Sequence, residues 1–342
     1  MTHTLSPLEL LKAEAPATRP VVALSEGSDP RVAAGALAAH QAGIADVILV
    51  GPQAEVETAL QAEGASAGEG VAIHDPATSE LTAAFAAEYY ELRKHKGVDE
   101  ATARKAAETP LVYAAMLVRL DHATGTVGGA VHTTGDVVRS AIQVIGMAPD
   151  AGMVSSFFLM YPPEGAPDGA RAMLYSDCGL VIDPKPAEMV SIAAASARSA
   201  SALLRVDPKL AFLSFSTKGS AKHPAVDKAT EALRLFQDAH PELPADGELQ
   251  FDAAFVPSVG ERKSPGSAVA GQANVMIFPN LDAGNIGYKI TQRLGGYAAI
   301  GPVLQGLAKP ANDLSRGCSA EDVTQIIAVT ILQAAGASGP DI

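Results

Sequence analysis

With 342 residues, 48% of them apolar and a mean hydropathy of +0.16, the chain exceeds the length at which one core usually keeps growing, so two domains with large aliphatic cores are expected. Thirty-eight acidic against 25 basic residues give a net charge of −13, which argues against nucleic acid or an anionic membrane surface as the main partner and requires any anionic substrate to be met by a local Arg and Lys cluster. The two cysteines, Cys178 and Cys318, have neither metal-ligand nor disulfide-framework spacing, the start lacks a basic region followed by an apolar one, and no run reaches the ~18 apolar residues of a membrane span; a cytoplasmic protein is expected.

In chain order, Val21 to Leu24 reads as a strand, Asp29 as an N-cap with Pro30 at the first helical position, and a helix follows to about Gln41. Asp46 to Val50 returns as a second strand, a βαβ unit with a right-handed crossover. Residues 80–120 read as mostly helical and contain the basic knot Arg93, Lys94, His95 and Lys96. A glycine-rich passage from Gly125 to Gly135 precedes a helix from about Asp136. After Met153 the texture changes. Met173 to Tyr175, Leu210 to Phe215 and Val275 to Phe278 read as buried strands, separated by helices near 186–204, 223–239 and 284–295. Tyr161 to Gly169 reads as a surface loop, and a last helix runs from near Ser319 to about Ala335. Alternation of strand and helix in both halves predicts an α/β protein with sandwiched, mostly parallel sheets.

The chemistry concentrates before that last helix. Asn312-Asp313-Leu314-Ser315-Arg316-Gly317-Cys318-Ser319-Ala320-Glu321-Asp322 puts a hydroxyl, a guanidinium, a thiol and several acids around one turn at a helix start. Free backbone N–H groups there favour an anion, and an arginine grips phosphate oxygens in two-pronged fashion. The same residues have a plain structural reading: Ser319-x-x-Asp322 fits a capping box and Arg316 can pair with Asp313. Thr133-x-x-Asp136 likewise fits a capping box that includes the Thr133 and Thr134 pair, and Arg139 can be a surface partner of Asp136. The knot at Arg93 reads by itself as a solvated face. Asn285 and Lys289 sit one helical turn apart and either line a site or cap and solvate their helix. Cys178 reads as a partly buried thiol, and His132 as a hydrogen-bonded structural residue. There is no G-x-G-x-x-G opening a helix after a strand, no Walker-type loop and no H-E-x-x-H, which leaves dehydrogenase, kinase and zinc-hydrolase readings without support.

The run from Asn312 to Asp322, with Leu213-Ser214-Phe215-Ser216-Thr217-Lys218-Gly219-Ser220, the block Ile277 to Lys289, and the block Ala130 to Arg139, resembles the phosphate acetyltransferase (phosphotransacetylase) family in collinear order over nearly the whole chain. The resemblance implies two α/β/α domains around a cleft, similar to the isocitrate/isopropylmalate dehydrogenase-like fold. Residues 1–153 plus 301–342 would form the first domain, completed by the C-terminal segment, and 154–300 an inserted second one. It implies that acetyl-CoA and phosphate exchange reversibly with acetyl phosphate and coenzyme A by direct attack in a ternary complex, without a covalent acyl-enzyme, a metal or a permanently bound cofactor. Asp322 would remove the thiol proton of coenzyme A, Arg316 would hold the phosphoryl group, and Ser315 would donate to the developing oxyanion. Arg139, Thr133, Thr134, Arg93, Asn285 and Lys289 would bind substrate, with Arg93 directed to the phosphates of coenzyme A. A homodimer is implied, with acetate kinase as pathway partner. Two alternatives stand beside this: a butyryl or propionyl preference, and an acyl-CoA-sensing module like that fused to malic enzymes. The presence of Ser315, Arg316 and Asp322 favours catalysis over sensing.

Overall fold

In the computed structural model, which describes residues 4–14, 18–166 and 169–337, the chain forms two units: Pro7–Pro149 with Leu307 onward, and Asp150–Gly306 with residues 4–6. The first unit is built on a parallel five-stranded sheet in the order Ala311–Asp313, Gly125–Gly128, Val21–Leu24, Asp46–Val50, Val71–His74. Its central strands are buried on both faces, which is why they read as unbroken apolar runs rather than alternating ones. Helix Pro30–Gln41 starts as its sequence predicts, with the Asp29 carboxylate accepting from the Arg31 N–H at 2.9 Å and Pro30 behind it.

Residues 80–120 form three α-helices, Thr82–Arg93, Glu100–Ala107 and Pro110–Arg119, with a single 3-10 turn at Lys94–Lys96. The last is apolar nearly all round and accordingly buried, with Tyr113, Met116 and Leu117 packed near Phe85 and Ala103. Each such large side chain contributes about 1.5–3 kcal/mol on burial. The C-terminal segment returns to this unit twice. Ala311–Asp313 becomes an edge strand, and helix Ala320–Ala337 packs on Pro30–Gln41. The two helices approach at Gly35, where a Cβ would lie 2.6 Å from Ala320 O and from Val323 Cβ. Any side chain at Gly35 would push them apart.

The second unit holds a six-stranded sheet in the order Ala298–Gln305, Ser155–Tyr161, Met173–Ser176, Val275–Ile277, Leu210–Leu213, Ala245–Leu249. The first two pairings are antiparallel and the remaining three parallel. Phe158, Met160, Tyr175 and Met276 form its core with Ala253 and Ala254, and Tyr288 of helix Leu281–Arg293 stacks on Phe158 at 3.9 Å. The long alanine-rich helix Pro186–Leu204 packs on strands of the same sheet and on helix Pro224–Ala239.

Several boundaries differ from the sequence expectation for local reasons. The helix expected near 284 begins at Leu281, because Asn280 caps it by accepting from Ala283 N at 3.0 Å. The helix expected from Asp136 begins at Thr134, with Thr133 as its cap. Strands Val71–His74, Ser155–Tyr161, Ala245–Leu249, Ala298–Gln305 and Ala311–Asp313 were not anticipated. Tyr161, expected to open a surface loop, ends a strand, and Pro167 and Asp168 of that loop lie outside the described residues. The start, for which no element was expected, forms helix Pro7–Glu14; Met1 to His3 lie outside the described residues.

Candidate active site

The parallel sheet of the first unit has a switch point. From Val21–Leu24 the chain moves outward to Asp46–Val50 and Val71–His74, then returns to the other side of Val21–Leu24 with Gly125–Gly128. Loops leaving the carboxyl ends of strands diverge at such a point and leave room for a ligand. The loops there are those after Leu24, Gly128 and Asp313; the catalytic candidates Ser315, Arg316 and Asp322 follow the third, and Thr133, Thr134 and Arg139 follow the second.

Buried carboxylates organise these loops. Glu26, buried after the first strand, accepts from the backbone N–H groups of Ala130 (2.6 Å), Val131 (3.0 Å) and His132 (2.8 Å), and its Oε1 lies 2.7 Å from His132 Nδ1. His132 is thus the hydrogen-bonded structural residue expected. Leu314 N–H donates to Gly128 O at 2.7 Å, joining the second and third loops. Gly129, with φ +106°, permits this approach, since a Cβ there would sit 2.1 Å from Asp313 Oδ1. Asp313 is fully buried. Its Oδ2 accepts from Thr134 Oγ1 at 2.6 Å, and its Oδ1 has no hydrogen-bond partner among the described residues. Burial pushes its pKa up to about 6, against the Thr134 hydrogen bond and with a further push from the neighbouring Glu26.

Two arginines meet this turn with opposite duties. Arg31 donates from Nε (3.0 Å) and Nη2 (2.8 Å) to the Asp29 carboxylate, from Nη2 to Ala130 O (2.9 Å), and from Nη1 to Arg316 O (2.7 Å) and Cys318 O (3.3 Å). Its hydrogen bond holds the Asp29 carboxyl below the usual carboxylate range. Arg316 is exposed, and among the described residues its guanidinium has no ion-pair or hydrogen-bond partner; the pairing with Asp313 that its spacing allows does not form. Beside it the exposed Ser315 turns its hydroxyl to Gly317 N–H, accepting at 3.2 Å, so its own proton is available to another acceptor.

Both helix starts at the site are capped as expected, but only Ser319-x-x-Asp322 closes the reciprocal box; among the described residues Thr133 caps Asp136 N without a return bond from its own N–H. Asp322 Oδ2 accepts from Ser319 N (2.8 Å) and Ser319 Oγ (2.9 Å), and Ser319 Oγ accepts from Asp322 N (3.2 Å). Asp322 Oδ1 makes no bond among the described residues, so capping leaves one carboxylate oxygen open on an exposed side chain. Thr133 Oγ1 accepts from Asp136 N at 3.2 Å and lies 2.7 Å from Asp136 Oδ2, while Arg139 Nη1 donates to Asp136 Oδ1 at 2.8 Å. The Thr133 hydrogen bond, then that of Arg139, holds the Asp136 carboxyl low. Arg139 is exposed and its ion pair is of the readily exchanged surface kind. Cys318 is buried under the turn, and that burial pushes its thiol up, which disfavours a thiolate nucleophile.

The remaining candidates lie elsewhere. Arg93 ends helix Thr82–Arg93, with Nε buried and without a hydrogen-bond partner among the described residues; that helix packs on Thr134–Val144, where Tyr89 Oη donates to Gln143 at 3.1 Å. Asn285 and Lys289 belong to the second unit. Asn285 Nδ2 donates to Cys178 O at 3.1 Å, and the exposed Lys289 places Nζ 5.1 Å from the Tyr288 ring. Cys178 is entirely rather than partly buried, with its thiol pushed well up. Sequence reasoning missed Glu26 and Arg31 as parts of the site and treated Asp313 only as a partner for Arg316. Among the described residues no group of three His, Cys, Asp or Glu is placed to hold a metal, and no helix is long and apolar enough to cross a membrane.

Comparison with known proteins gives the family. The model of the family described as phosphate acetyl/butaryl transferase matches residues 7–331. The chain is 46% identical over 329 residues to the phosphate acetyltransferase of Paracoccus denitrificans, covering 96% of this chain and 99% of that protein. It is 43% identical over 330 residues to that of Thermoanaerobacterium thermosaccharolyticum, covering 96% and 100%. A phosphotransacetylase structure from Streptococcus pyogenes superimposes with a TM-score of 0.88 at 40% identity over 96% of this chain and 98% of that one. The chain belongs to the phosphate acetyl/butaryl transferase family of acyltransferases.

Proposed function

We infer that the chain reversibly transfers an acetyl group between coenzyme A and inorganic phosphate, and that the turn Ser315–Asp322 carries the chemistry. The observation that carries this assignment is a guanidinium, Arg316, without a partner among the described residues, on a turn where Ser319 holds Asp322 by one carboxylate oxygen and leaves the other open. A dianionic phosphate group matches such a fork. In the direction of acetyl-CoA synthesis, Asp322 Oδ1 takes the proton of the coenzyme A thiol as sulfur attacks the acetyl carbonyl carbon. The C–S bond forms, the carbonyl electrons move onto oxygen, and Ser315 donates its hydroxyl proton as a hydrogen bond to that oxyanion. Collapse breaks the C–O bond to phosphate, which leaves neutralised by Arg316. A free thiol ionises near ~8.5, so a positioned carboxylate supplies thiolate that solvent alone supplies poorly at neutral pH. Holding both substrates in one geometry and stabilising the oxyanion supply most of the acceleration.

Thr133 and Thr134 are assigned to substrate binding because they open the helix beside this turn, and Arg139, further along that helix, by resemblance; Arg139 exchanges Asp136 for a substrate oxygen at little cost. Arg93, Asn285 and Lys289 are assigned to substrate binding, Arg93 toward the coenzyme A phosphates, by resemblance. A homodimer in the cytoplasm, with acetate kinase consuming acetyl phosphate, completes the reading. In support of a dimer, helix Leu281–Arg293 exposes Ile286 (57%) and Ile290 (53%), followed by Leu294 (85%), as one apolar stripe four residues apart. Release of thiol from acetyl-CoA on addition of phosphate, compared with propionyl- and butyryl-CoA, tests the assignment. No thiol release from any of the three contradicts it, and a butyryl rate above the acetyl rate replaces the acyl group while keeping the chemistry. Light scattering on the protein and on an Ile286→Glu/Ile290→Glu variant tests the dimer.

A further inference from the structure

We propose that Arg31 is the positioning residue of the reaction: it fixes the Ser315–Cys318 turn, and through it the direction of Arg316, without itself touching substrate. This rests on the assignment of Arg316 to the phosphoryl group. A guanidinium has five N–H groups, and five hydrogen bonds occupy them here: two to the Asp29 carboxylate and one each to the carbonyls of Ala130, Arg316 and Cys318. None remains for an anion, so Arg31 acts through the three loops it joins. Two of its acceptors are peptide oxygens of the reacting turn itself, reached across 285 and 287 residues of sequence. The exposed side chains on that turn do not anchor it: Arg316 has no partner among the described residues, and Ser315 Oγ reaches only Gly317 N. The buried Cys318 and the Leu314 N–H bond to Gly128 pin its ends, leaving the Arg316 peptide to Arg31. Asp29 in turn orients Arg31, since both of its carboxylate oxygens take the fork. A lysine at 31 keeps the charge but cannot present donors in two directions from a planar group.

The experiment compares Arg31→Gln and Arg31→Lys in the Cys178→Ala background, measuring kcat, KM for phosphate, circular dichroism, and the rate at which Cys318 is alkylated. Misplacing the turn by a fraction of its size is expected to lower kcat at least ~10-fold in both variants with KM changed less than ~3-fold, because geometry rather than ground-state affinity is lost. Release of the Cys318 carbonyl is expected to raise its alkylation rate at least ~10-fold, an outcome independent of activity. Should Arg31→Gln not fold, Arg31→Lys decides alone. Wild-type kcat in a folded variant overturns the proposal, and so does a fall in kcat with unchanged Cys318 reactivity, which would make Arg31 a charge rather than a clamp. If Arg316→Ala itself turns over normally, the assignment of the reaction fails, while the alkylation rates still decide whether Arg31 holds the turn.

Discussion

Both units gather loops around buried carboxylates, and they differ in the charged groups that stand beside those networks. In the second unit Glu248 accepts from Ser216 Oγ (2.7 Å) and Gly219 N (2.8 Å), and Asp177 accepts from Ser156 N (2.7 Å), Ser156 Oγ (2.6 Å), Gly179 N (2.8 Å) and Leu180 N (2.9 Å). The nearby cations are engaged: Lys218 with Asp246, Lys228 with Asp183, Lys263 with Asp252. In the first unit Glu26 and Arg31 are equally satisfied, yet above them stand Arg316, one oxygen of Asp322 and the buried Oδ1 of Asp313, all without partners among the described residues. A satisfied network specifies shape and costs little. The groups it leaves unsatisfied are where an anion and a proton can be handled.

Substitutions on the open side of this comparison should affect rate, and those on the satisfied side stability. The largest effect is expected for Asp322→Asn, which keeps much of the cap but cannot take a proton: kcat should fall ~10²–10⁴-fold with little change in melting temperature. Small, parallel losses of rate and melting temperature would make Asp322 only a cap.

Asp313 sharpens the comparison through pH. Its folded pKa of about 6 lies above the ~3.9 of an unfolded chain, so the folded state holds its proton more tightly. The stability this provides is complete below pH ~4 and is lost as pH rises through ~6; a gap of roughly two pH units corresponds to about 3 kcal/mol. Asp313→Asn should flatten that slope in denaturant titrations between pH ~4 and ~7, and an unchanged slope would assign it to other groups.

The capping side of the site should respond more mildly. Thr133→Ala removes the acceptor for Asp136 N and should cost about 1 kcal/mol in thermal or chemical unfolding. The smallest effect is expected of the thiols. Both are buried with raised pKa values, so Cys178→Ala/Cys318→Ala should turn over acetyl phosphate and coenzyme A at close to the original rate. Collapse to background with a normal circular dichroism spectrum would instead require an acyl-cysteine.

Much of the fold was legible because its signals are local. Val21–Leu24 and Asp46–Val50 are apolar runs, and Asp29-Pro30 writes a helix start directly into the sequence. Ala311–Asp313 and Ala298–Gln305 were not legible. The first is three residues of low strand propensity placed by its neighbour Gly125–Gly128, and the second carries Gly301 and Pro302 at an irregularity in its pairing. The reacting turn was legible as an unusual collection of side chains at a helix start. Its supports were not: Arg31 reads locally as an ordinary residue behind an N-cap, and Glu26 as one acid among many. Their partners lie 285 and 104 residues away in sequence, where spacing says nothing.

The turnover of Arg316→Ala, with acetyl phosphate and coenzyme A at saturating concentrations and melting temperature measured on the same sample, tests the central assignment most directly. Loss of the open Arg316 guanidinium should lower kcat by ~100-fold or more, the scale of removing a transition-state charge stabiliser, with an unchanged melting temperature. Near-normal turnover in a protein that melts normally would take Arg316 out of the mechanism and the chemistry away from this turn.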